Sequence, residues 1–253
     1  MKTKKPLIWI ILGCIVVGVI YAIASLLPEQ EAQIVLIGVA GCIVIVWMVT
    51  KMWNMVHLSK KISAPTHLLY EDKRPDLYVA EMEKILPKIS AKQQKDLIRI
   101  NISAGYLYNG EFEKTLETLE QVAVPGQPEV NQILYYAYRV MAYFLGGQKN
   151  SALEELEQQR KLLKKYDSTQ AGITNNILVL YSMEKLLTKE YEQARNLLKQ
   201  LQERKVSSVL QDMIDYLLLE CYKNEKMDQE YSELKEQMLQ RTLVPVVRSR
   251  IKA

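Results

Sequence analysis

The sequence has few of the residue types that usually carry catalysis. Its 253 residues include two histidines and three cysteines, and the cysteines show neither a disulfide pattern nor the spacing of a metal site. His57 and His67 lie ten residues apart without a neighbouring acidic cluster, which argues against a zinc site. A glycine-rich phosphate loop and a nucleophile-elbow motif are also missing. We therefore predict a protein that is not an enzyme and that binds no cofactor and no metal ion.

Most of the chain also lacks an excess of either charge. The whole sequence has a formal net charge of +4, and residues 1–61 supply it with six lysines and two glutamates. The remaining residues carry 27 basic and 27 acidic side chains. Nucleic-acid binding depends on neutralising phosphates with clustered basic side chains, so a neutral domain without a basic stripe is a poor candidate for it. We expect no nucleic-acid partner, and no small-molecule substrate is evident.

Charged residues are absent from two long segments near the N-terminus. Residues 6–27 and 32–50 form uncharged runs of 22 and 19 residues, separated by four residues that include two glutamates. A helix of roughly 20 apolar residues spans the hydrocarbon core of a bilayer. The two runs therefore predict a transmembrane helical hairpin in contact with membrane lipid, and two buried core helices of a soluble fold are the alternative.

Lysines flank the pair of runs on both outer sides. They are Lys2, Lys4 and Lys5 before the first run and Lys51, Lys60 and Lys61 after the second. Because short basic flanks stay on the cytoplasmic side of a membrane, both termini and everything after residue 51 are expected in the cytoplasm. The minimal lysine-flanked hairpin is typical of a bacterial plasma membrane. Cleavage of a secretory signal after Ala22-Ile23-Ala24 is the alternative, and it would leave the second span in the same orientation.

Small residues recur at helical spacing within both runs. Cys14, Gly18 and Ala22 are four residues apart on the first span, and Gly38, Gly41 and Cys42 cluster on the second. Small side chains let helix backbones approach closely in lipid. These six positions predict packing of the two spans against each other, with a dimerisation face as the alternative.

The rest of the chain is predicted to be helical, because apolar residues recur at three and four spacing and strand signals are absent. We predict a membrane hairpin with a juxtamembrane extension over residues 1–61, a linker or a short helix over 62–75, a helical domain over 76–242 and a C-terminal tail over 243–253. Proline and glycine signals mark several of the helix ends. The predicted helices are 76–86, 92–108, 111–122, 129–145, 149–165, 170–187, 190–204, 207–223 and 228–240.

Similar blocks of sequence recur at the turns between these helices. They begin at Asn109, Gly146, Thr188 and Asn224, at offsets of 37, 42 and 36 residues. Each block joins a longer first helix to an amphipathic second helix. Repetition with a period of 20–50 residues is typical of a solenoid, in which each helical hairpin buries its apolar face against its neighbours.

The blocks resemble the tetratricopeptide-repeat family, whose motif has an aromatic residue in the first helix, a glycine at the turn, then an aromatic and a small residue. The matching residues are Tyr106, Gly110, Phe112 and Thr115, then Tyr143, Gly147 and Ala152, then Tyr191 and Ala194. The last block departs from the motif, with Glu225 for the glycine and Glu230 for the small residue. The resemblance covers residues 76–240, and the register of the last two repeats stays open. It implies a tetratricopeptide-like α-solenoid, with another helical bundle as the alternative. Together with the membrane hairpin predicted from the uncharged runs, this gives an all-α fold.

The resemblance also implies where a partner would bind, because the first helices of tetratricopeptide arrays line a concave groove. The residues at groove positions are Ile100, Ala104, Leu107, Tyr108, Ala137, Met141 and Phe144. These side chains are mostly apolar, and the Lys/Asn pattern that clamps a terminal carboxylate in some family members is missing from them. We therefore expect an apolar segment or an amphipathic helix as the ligand. The aromatic residues Tyr135, Tyr136, Tyr138, Tyr143 and Phe144 are expected in the core.

Together these features predict a membrane-anchored, cytoplasmic, non-catalytic scaffold that binds a protein partner. The alternative is an accessory structural subunit of a membrane transporter or cell-envelope complex, in which the spans assemble with other membrane helices. The spans hold no charged residue, so they make a poor ion or proton pathway by themselves.

Overall fold

The computed structural model of the chain describes residues 28–168 and 171–252, and over that part it contains helices and no strand. Residues 1–27, with the first predicted span and its Cys14, Gly18 and Ala22, lie outside the described residues. The chain divides into two compact units, residues 1–60 and residues 61–253. In chain order the helices are α1 (Glu29–Ser63), α2 (Thr66–Tyr70), α3 (Pro75–Ile85), α4 (Lys92–Asn109), α5 (Phe112–Glu120), α6 (Glu129–Leu145), α7 (Lys149–Tyr166), α8 (Ala171–Leu187), α9 (Tyr191–Gln202), α10 (Ser208–Glu225), α11 (Asp228–Leu239) and α12 (Pro245–Lys252).

Helix α1 contains the second uncharged run and is 35 residues long. Most of its described large apolar side chains are exposed, with exposed fractions from 51% at Val56 to 74% at Trp53, and Ile62 near its end is half-buried. A Cβ atom added at Gly38 or Gly41 would meet nothing within 4 Å, and Cys42 is exposed. The packing predicted for these small residues therefore stays a prediction. Over the described parts of the chain, no helix has the combination of length and apolarity that a membrane crossing requires.

The nine helices predicted for the polar part of the chain are confirmed, and each end lies within two residues of its predicted position. Local signals account for this agreement. Helix α3 begins at Pro75, which lacks the amide hydrogen that a first-turn residue leaves unpaired. Helix α10 begins after Ser207, whose hydroxyl accepts a hydrogen bond from the amide of Leu210 at 3.3 Å.

The repeat helices form two layers. The first helices α4, α6, α8 and α10 pack in sequence against one another. The second helices α5, α7 and α9 each pack against their own first helix and against the first helix of the next repeat, while α11 packs against α10. The core lies between these layers and contains apolar residues from every repeat. This is the arrangement of a tetratricopeptide-like array, as the resemblance implied.

The four turns from a first to a second helix share one backbone motif. In each turn one residue adopts a left-handed conformation with positive φ; these residues are Gly110, Gly147, Lys189 and Lys226. The next amide donates to the carbonyl five residues earlier, as from Glu111 to Tyr106 and from Met227 to Tyr222, both at 2.9 Å. This Schellman arrangement ends a helix by satisfying its last carbonyl groups.

The turn motif defines the register of the repeats. Its left-handed residues are 37, 42 and 37 positions apart, so Lys226 takes the glycine position of the fourth repeat. The prediction that placed Glu225 there is wrong by one residue. Its cause is that a lysine in the left-handed conformation leaves no signal in the sequence comparable to a glycine.

The segments on either side of the repeats are structured. Residues 62–75 were predicted as a linker or a short helix, and they include the short helix α2, which packs against α3 and α10. Residues 243–253 were predicted as a tail, but α12 forms there and packs against α4 and α10. Each of these segments is too short to be helical alone and gains its stability from distant helices.

Replacing Lys226 with glycine should stabilise the domain. A side chain in the left-handed region costs about 1 kcal/mol, and Lys226 is exposed, so the substitution removes backbone strain without removing a core contact. We expect Lys226→Gly to raise the free energy of unfolding by about 1 kcal/mol, measured by thermal denaturation of the full-length chain in detergent. Lys226→Ala is the matched control, since it removes the same side chain but keeps the Cβ atom. An equal gain in both variants would contradict the explanation.

Candidate partner-binding surface

The predicted groove residues lie on the layer of first helices, and most of them are buried. Ile100, Ala104, Leu107, Tyr108, Ala137 and Met141 are at most 3% exposed, and Phe144 is half-buried. The structure thus brings the seven residues to one layer but does not present the first six to solvent. We call the side of this layer that meets α2 and α12 the first-helix face. A role in partner binding for its residues stays a prediction.

Helix α2 covers one part of the first-helix face. Leu69 is fully buried, and the hydroxyl groups of Tyr70 and Tyr138 are hydrogen-bonded to each other. Tyr70 also interacts electrostatically with Tyr78 and Tyr108, so four tyrosines from α2, α3, α4 and α6 form a tyrosine cluster, in which Tyr70 is half-buried and the other three are buried. Burial raises the pKa of each of these hydroxyls above its ordinary value, so all four stay protonated and act only as packing and hydrogen-bonding groups.

Helix α12 covers another part of the same face. Val246, Val247 and Ile251 are each at most 6% exposed. A Cβ atom built on Gly110 would lie 3.9 Å from Cγ2 of Val246, which places α12 directly over the C-terminal end of α4. The guanidinium group of Arg250 donates to the backbone carbonyl of Leu145 at the end of α6.

A buried ionic cluster ties both covering segments to α10. The carboxylate of Asp212, which is 1% exposed, accepts from Lys73 Nζ at 2.9 Å and from the amide of Val244 at 2.9 Å. Lys73 Nζ also donates to the carbonyl of Thr242 at 2.7 Å, and the Arg241 guanidinium lies 3.3 Å from Asp212. Lys73 precedes the repeats and residues 241–244 follow them, so one carboxylate holds both ends of the array.

A second carboxylate extends this cluster by one turn of α10. Asp215 accepts hydrogen bonds from Gln202 at 2.8 Å and from Gln211 at 2.9 Å, and it is also paired with Arg241. We call Lys73, Asp212, Asp215 and Arg241 the Asp212 cluster. A buried charge is tolerated when its lone pairs are matched by donors, and both carboxylates meet that condition.

The aromatic residues that the sequence predicted in the core divide into two groups. Tyr135 and Tyr138 are buried, whereas Tyr136, Tyr143 and Phe144 are half-buried. Arg139 stands between Tyr135 and Tyr143, with its guanidinium carbon 5.6 Å from each ring centroid, and it donates to Glu155 of α7 at 2.9 Å. These aromatics therefore hold an ion pair between α6 and α7 and do not form a ligand pocket.

Two features of this face were not predicted from the sequence, the Asp212 cluster and α12. Asp212 and Asp215 look like the exposed acidic residues of any amphipathic helix, because their partners lie far away in the chain. Helix α12 had a detectable signal. Pro245 suits a first helical position, and apolar residues at 243, 244, 246, 247 and 251 recur at helical spacing.

The described cysteine and histidine of the helical domain, Cys221 and His67, are both held within the structure. Burial raises the pKa of the Cys221 thiol to about 12, so its nucleophilic thiolate is scarcely populated at neutral pH. His67 is bound to the chain beside it, with Nδ1 2.8 Å from the carbonyl of Ala64. Both groups therefore have a structural explanation.

Comparison with known families gives one match. The model of a family described as the SusR N-terminal TPR domain matches residues 77–236. These residues run from the first turn of α3 to the last turn of α11, and they leave α2 and α12 outside the match. No curated protein and no solved structure matches the chain.

Removing the carboxylate of Asp212 should destabilise the domain strongly. The variant Asp212→Ala leaves Lys73 and the amide of Val244 buried without their acceptor, and breaking a buried ion pair costs about 3 kcal/mol. Asp76→Ala is the control, because the pair of Asp76 with Arg74 is exposed and such pairs are worth about 1 kcal/mol or less. Chemical denaturation of both full-length variants measures the difference. Similar losses in the two would contradict the assignment.

Proposed function

Because the chain belongs to the family of the SusR N-terminal TPR domain, we propose that it is a non-catalytic scaffold for protein–protein interaction that is held at a membrane. Stacked helical hairpins present an extended surface on which a protein partner can dock. The family match and the two-layer array of residues 77–236 support the scaffold part of this proposal. The membrane part has separate support from α1.

The support for a membrane anchor is the apolar surface of α1. Among the described side chains, eleven large apolar residues of α1 are more than half exposed, against one, Leu239, elsewhere in the chain. An apolar surface of this kind is unfavourable in water and marks a contact with lipid or with another protein. Since the preceding residues 6–27 are also uncharged, we propose that both runs lie in a bilayer as a hairpin.

The lysines beside the two runs give the proposed anchor an orientation. Lys2, Lys4 and Lys5 on one flank and Lys60 and Lys61 on the other would stay in the cytoplasm, and the short acidic connection would cross to the other side. The helical domain is then cytoplasmic, and the membrane is the plasma membrane of a bacterium. A protease added outside intact cells that digested residues 62–253 would contradict this orientation.

A second function, an accessory structural subunit of a transporter or envelope complex, is favoured by one observation. Gly38 and Gly41 of α1 are exposed, and a Cβ atom at either position would meet nothing within 4 Å. Small exposed residues at this spacing would let another membrane helix approach closely. In that case α1 would bind the partner and the helical domain would serve as a rigid spacer.

The membrane proposal is tested by fractionating cells that express the full-length chain. We expect the chain to sediment with membranes and to be released by detergent but not by 1 M salt or alkaline carbonate, because burial in hydrocarbon is insensitive to ionic strength. Deletion of residues 1–61 is the matched variant, and it should move to the soluble fraction. Full-length chain that stays soluble without detergent would overturn the proposal.

The two functions are separated by photo-crosslinking in native membranes. A photoreactive residue at Phe144 samples the edge of the first-helix face, one at Gly41 samples α1, and one at the exposed Gln158 of α7 is the control. The scaffold function predicts a discrete crosslinked protein from position 144. The subunit function predicts an integral membrane protein from position 41. Crosslinks from position 158 alone would contradict both.

A further inference from the structure

Helix α12 is an element of the chain that occupies the position of a ligand. We propose that it is an internal ligand of the first-helix face that a partner can displace, and that the surface beneath it is the docking site for a short, basic, amphipathic helix of that partner. This inference rests on the proposed scaffold function and specifies the site and the class of partner. The contacts of α12 show which side chains the surface accepts.

The surface accepts branched aliphatic side chains from one side of a helix. Val247 and Ile251 are four residues apart and therefore lie on the same side of α12, with Val246 beside them, and all three are buried. The residues on the other side, Arg248 and Ser249, are exposed. A partner helix needs the same pattern, with valine or isoleucine at positions i and i+4.

The surface also accepts one cation at a defined position. Arg250 donates to the carbonyl of Leu145, and its guanidinium carbon lies 5.9 Å from the centroid of the Phe112 ring. Leu145 is the last residue of α6, where unpaired carbonyls and the helix dipole create a partial negative charge. An arginine at the corresponding position of a partner helix would find the same acceptor and the same ring. Charge complementarity therefore selects a basic helix over an acidic one.

The way α12 is attached makes it the displaceable part of the cover. It has eight residues, too few to be helical in water without its contacts. The Asp212 cluster holds residues 241–244, which precede α12, so α12 can leave the face while its connection stays fixed. Helix α2 lacks this freedom, because its Tyr70 belongs to the tyrosine cluster.

A tethered internal ligand lowers the apparent affinity of an external one. The apparent affinity of a partner is its affinity for the bare face multiplied by the fraction of molecules whose face is open. The short tether keeps that fraction small, because it keeps the local concentration of α12 high. A variant that opens the face should therefore bind a free copy of α12 more tightly than the wild type does. This difference is the measurable consequence of the proposal.

The test uses a fluorescein-labelled peptide of residues 244–253 added to the full-length chain in detergent, with binding followed by fluorescence anisotropy. In the double variant Val247→Asp/Ile251→Asp, two carboxylates would have to be buried for α12 to dock, so the face is left open. We expect the variant to bind the peptide at least tenfold more tightly than the wild type. Equal binding, or no binding to a variant with native helicity, would overturn the proposal.

Two further peptides test the position of the cation. Arg250→Ala removes the group that reaches Leu145, whereas Arg248→Ala removes an equal charge whose Nη2 donates only to Leu243 of its own segment at 3.0 Å. The first should weaken binding to the open variant about tenfold, as expected for loss of a charge-assisted hydrogen bond, and the second should not. Equal weakening by both would show a non-specific charge effect and would contradict the assigned site.

Hydrogen exchange of the wild type covers the case in which the double variant fails to fold. If α12 opens on its own, the amides of residues 246–252 exchange at least tenfold faster than the buried amides of α10, because their protection is lost without global unfolding. Protection equal to that of α10 would mean that α12 leaves only when the domain unfolds, and the proposal would fail.

The remaining outcomes separate this proposal from the scaffold function. The peptide and exchange measurements need no partner protein, so their failure leaves the scaffold proposal standing, while failure of photo-crosslinking does not affect them. Light scattering of the wild-type chain, with and without the peptide, identifies a different occupant. A peptide-sensitive dimer of the wild-type chain would mean that α12 of a second copy fills the face, which would overturn the assignment to a different partner.

Discussion

The structure of the helical domain depends on a buried carboxylate that joins its two ends. A repeat array makes contacts only between neighbours, so its terminal segments have no intrinsic reason to meet. Asp212 brings them together, because it pairs with Lys73, 139 residues earlier in the chain, and with the amide of Val244, 32 residues later. The desolvation of Asp212 is offset by these donors, and the segments they belong to are held against the first helices.

The consequence is a change in what the array exposes. An open solenoid presents the side of its first helices to solvent, and here that side is largely apolar. The ends held by Asp212 place α2 and α12 against helices of this layer, and Ile100, Leu107 and Met141 within it are buried. On the function proposed above, the contacts that complete the hydrophobic core would also control access to the surface on which a partner docks.

Much of this fold could be predicted because its signals are local. Helix periodicity and proline or glycine at the ends placed nine helices within two residues, and the glycines at 110 and 147 located the first two turns. The fourth turn was misplaced by one residue because Lys226 adopts a left-handed conformation, for which a lysine gives no signal in the sequence. The open groove was predicted from the repeat alone, whereas the segments that pack at this layer are joined to it by contacts across more than a hundred residues, as between Arg250 and Leu145. Long-range pairings of this kind leave no periodic pattern.

A covered face would also have a physical advantage at the membrane where we propose that the chain is anchored. A large exposed apolar patch invites non-specific association, and near a bilayer lipid would compete for it. On the proposed mechanism, α12 instead sets a minimum affinity that a partner must exceed in order to bind. Short tethers give effective concentrations in the millimolar range, so a partner present at a micromolar level must bind the bare face about a thousandfold more tightly than α12 does. Only a helix that improves on Val247, Ile251 and Arg250 passes that threshold, and confinement of the partner to the same membrane would lower it. Apolar segments that bind weakly would then fail to displace α12, and no repulsive surface would be needed to exclude them.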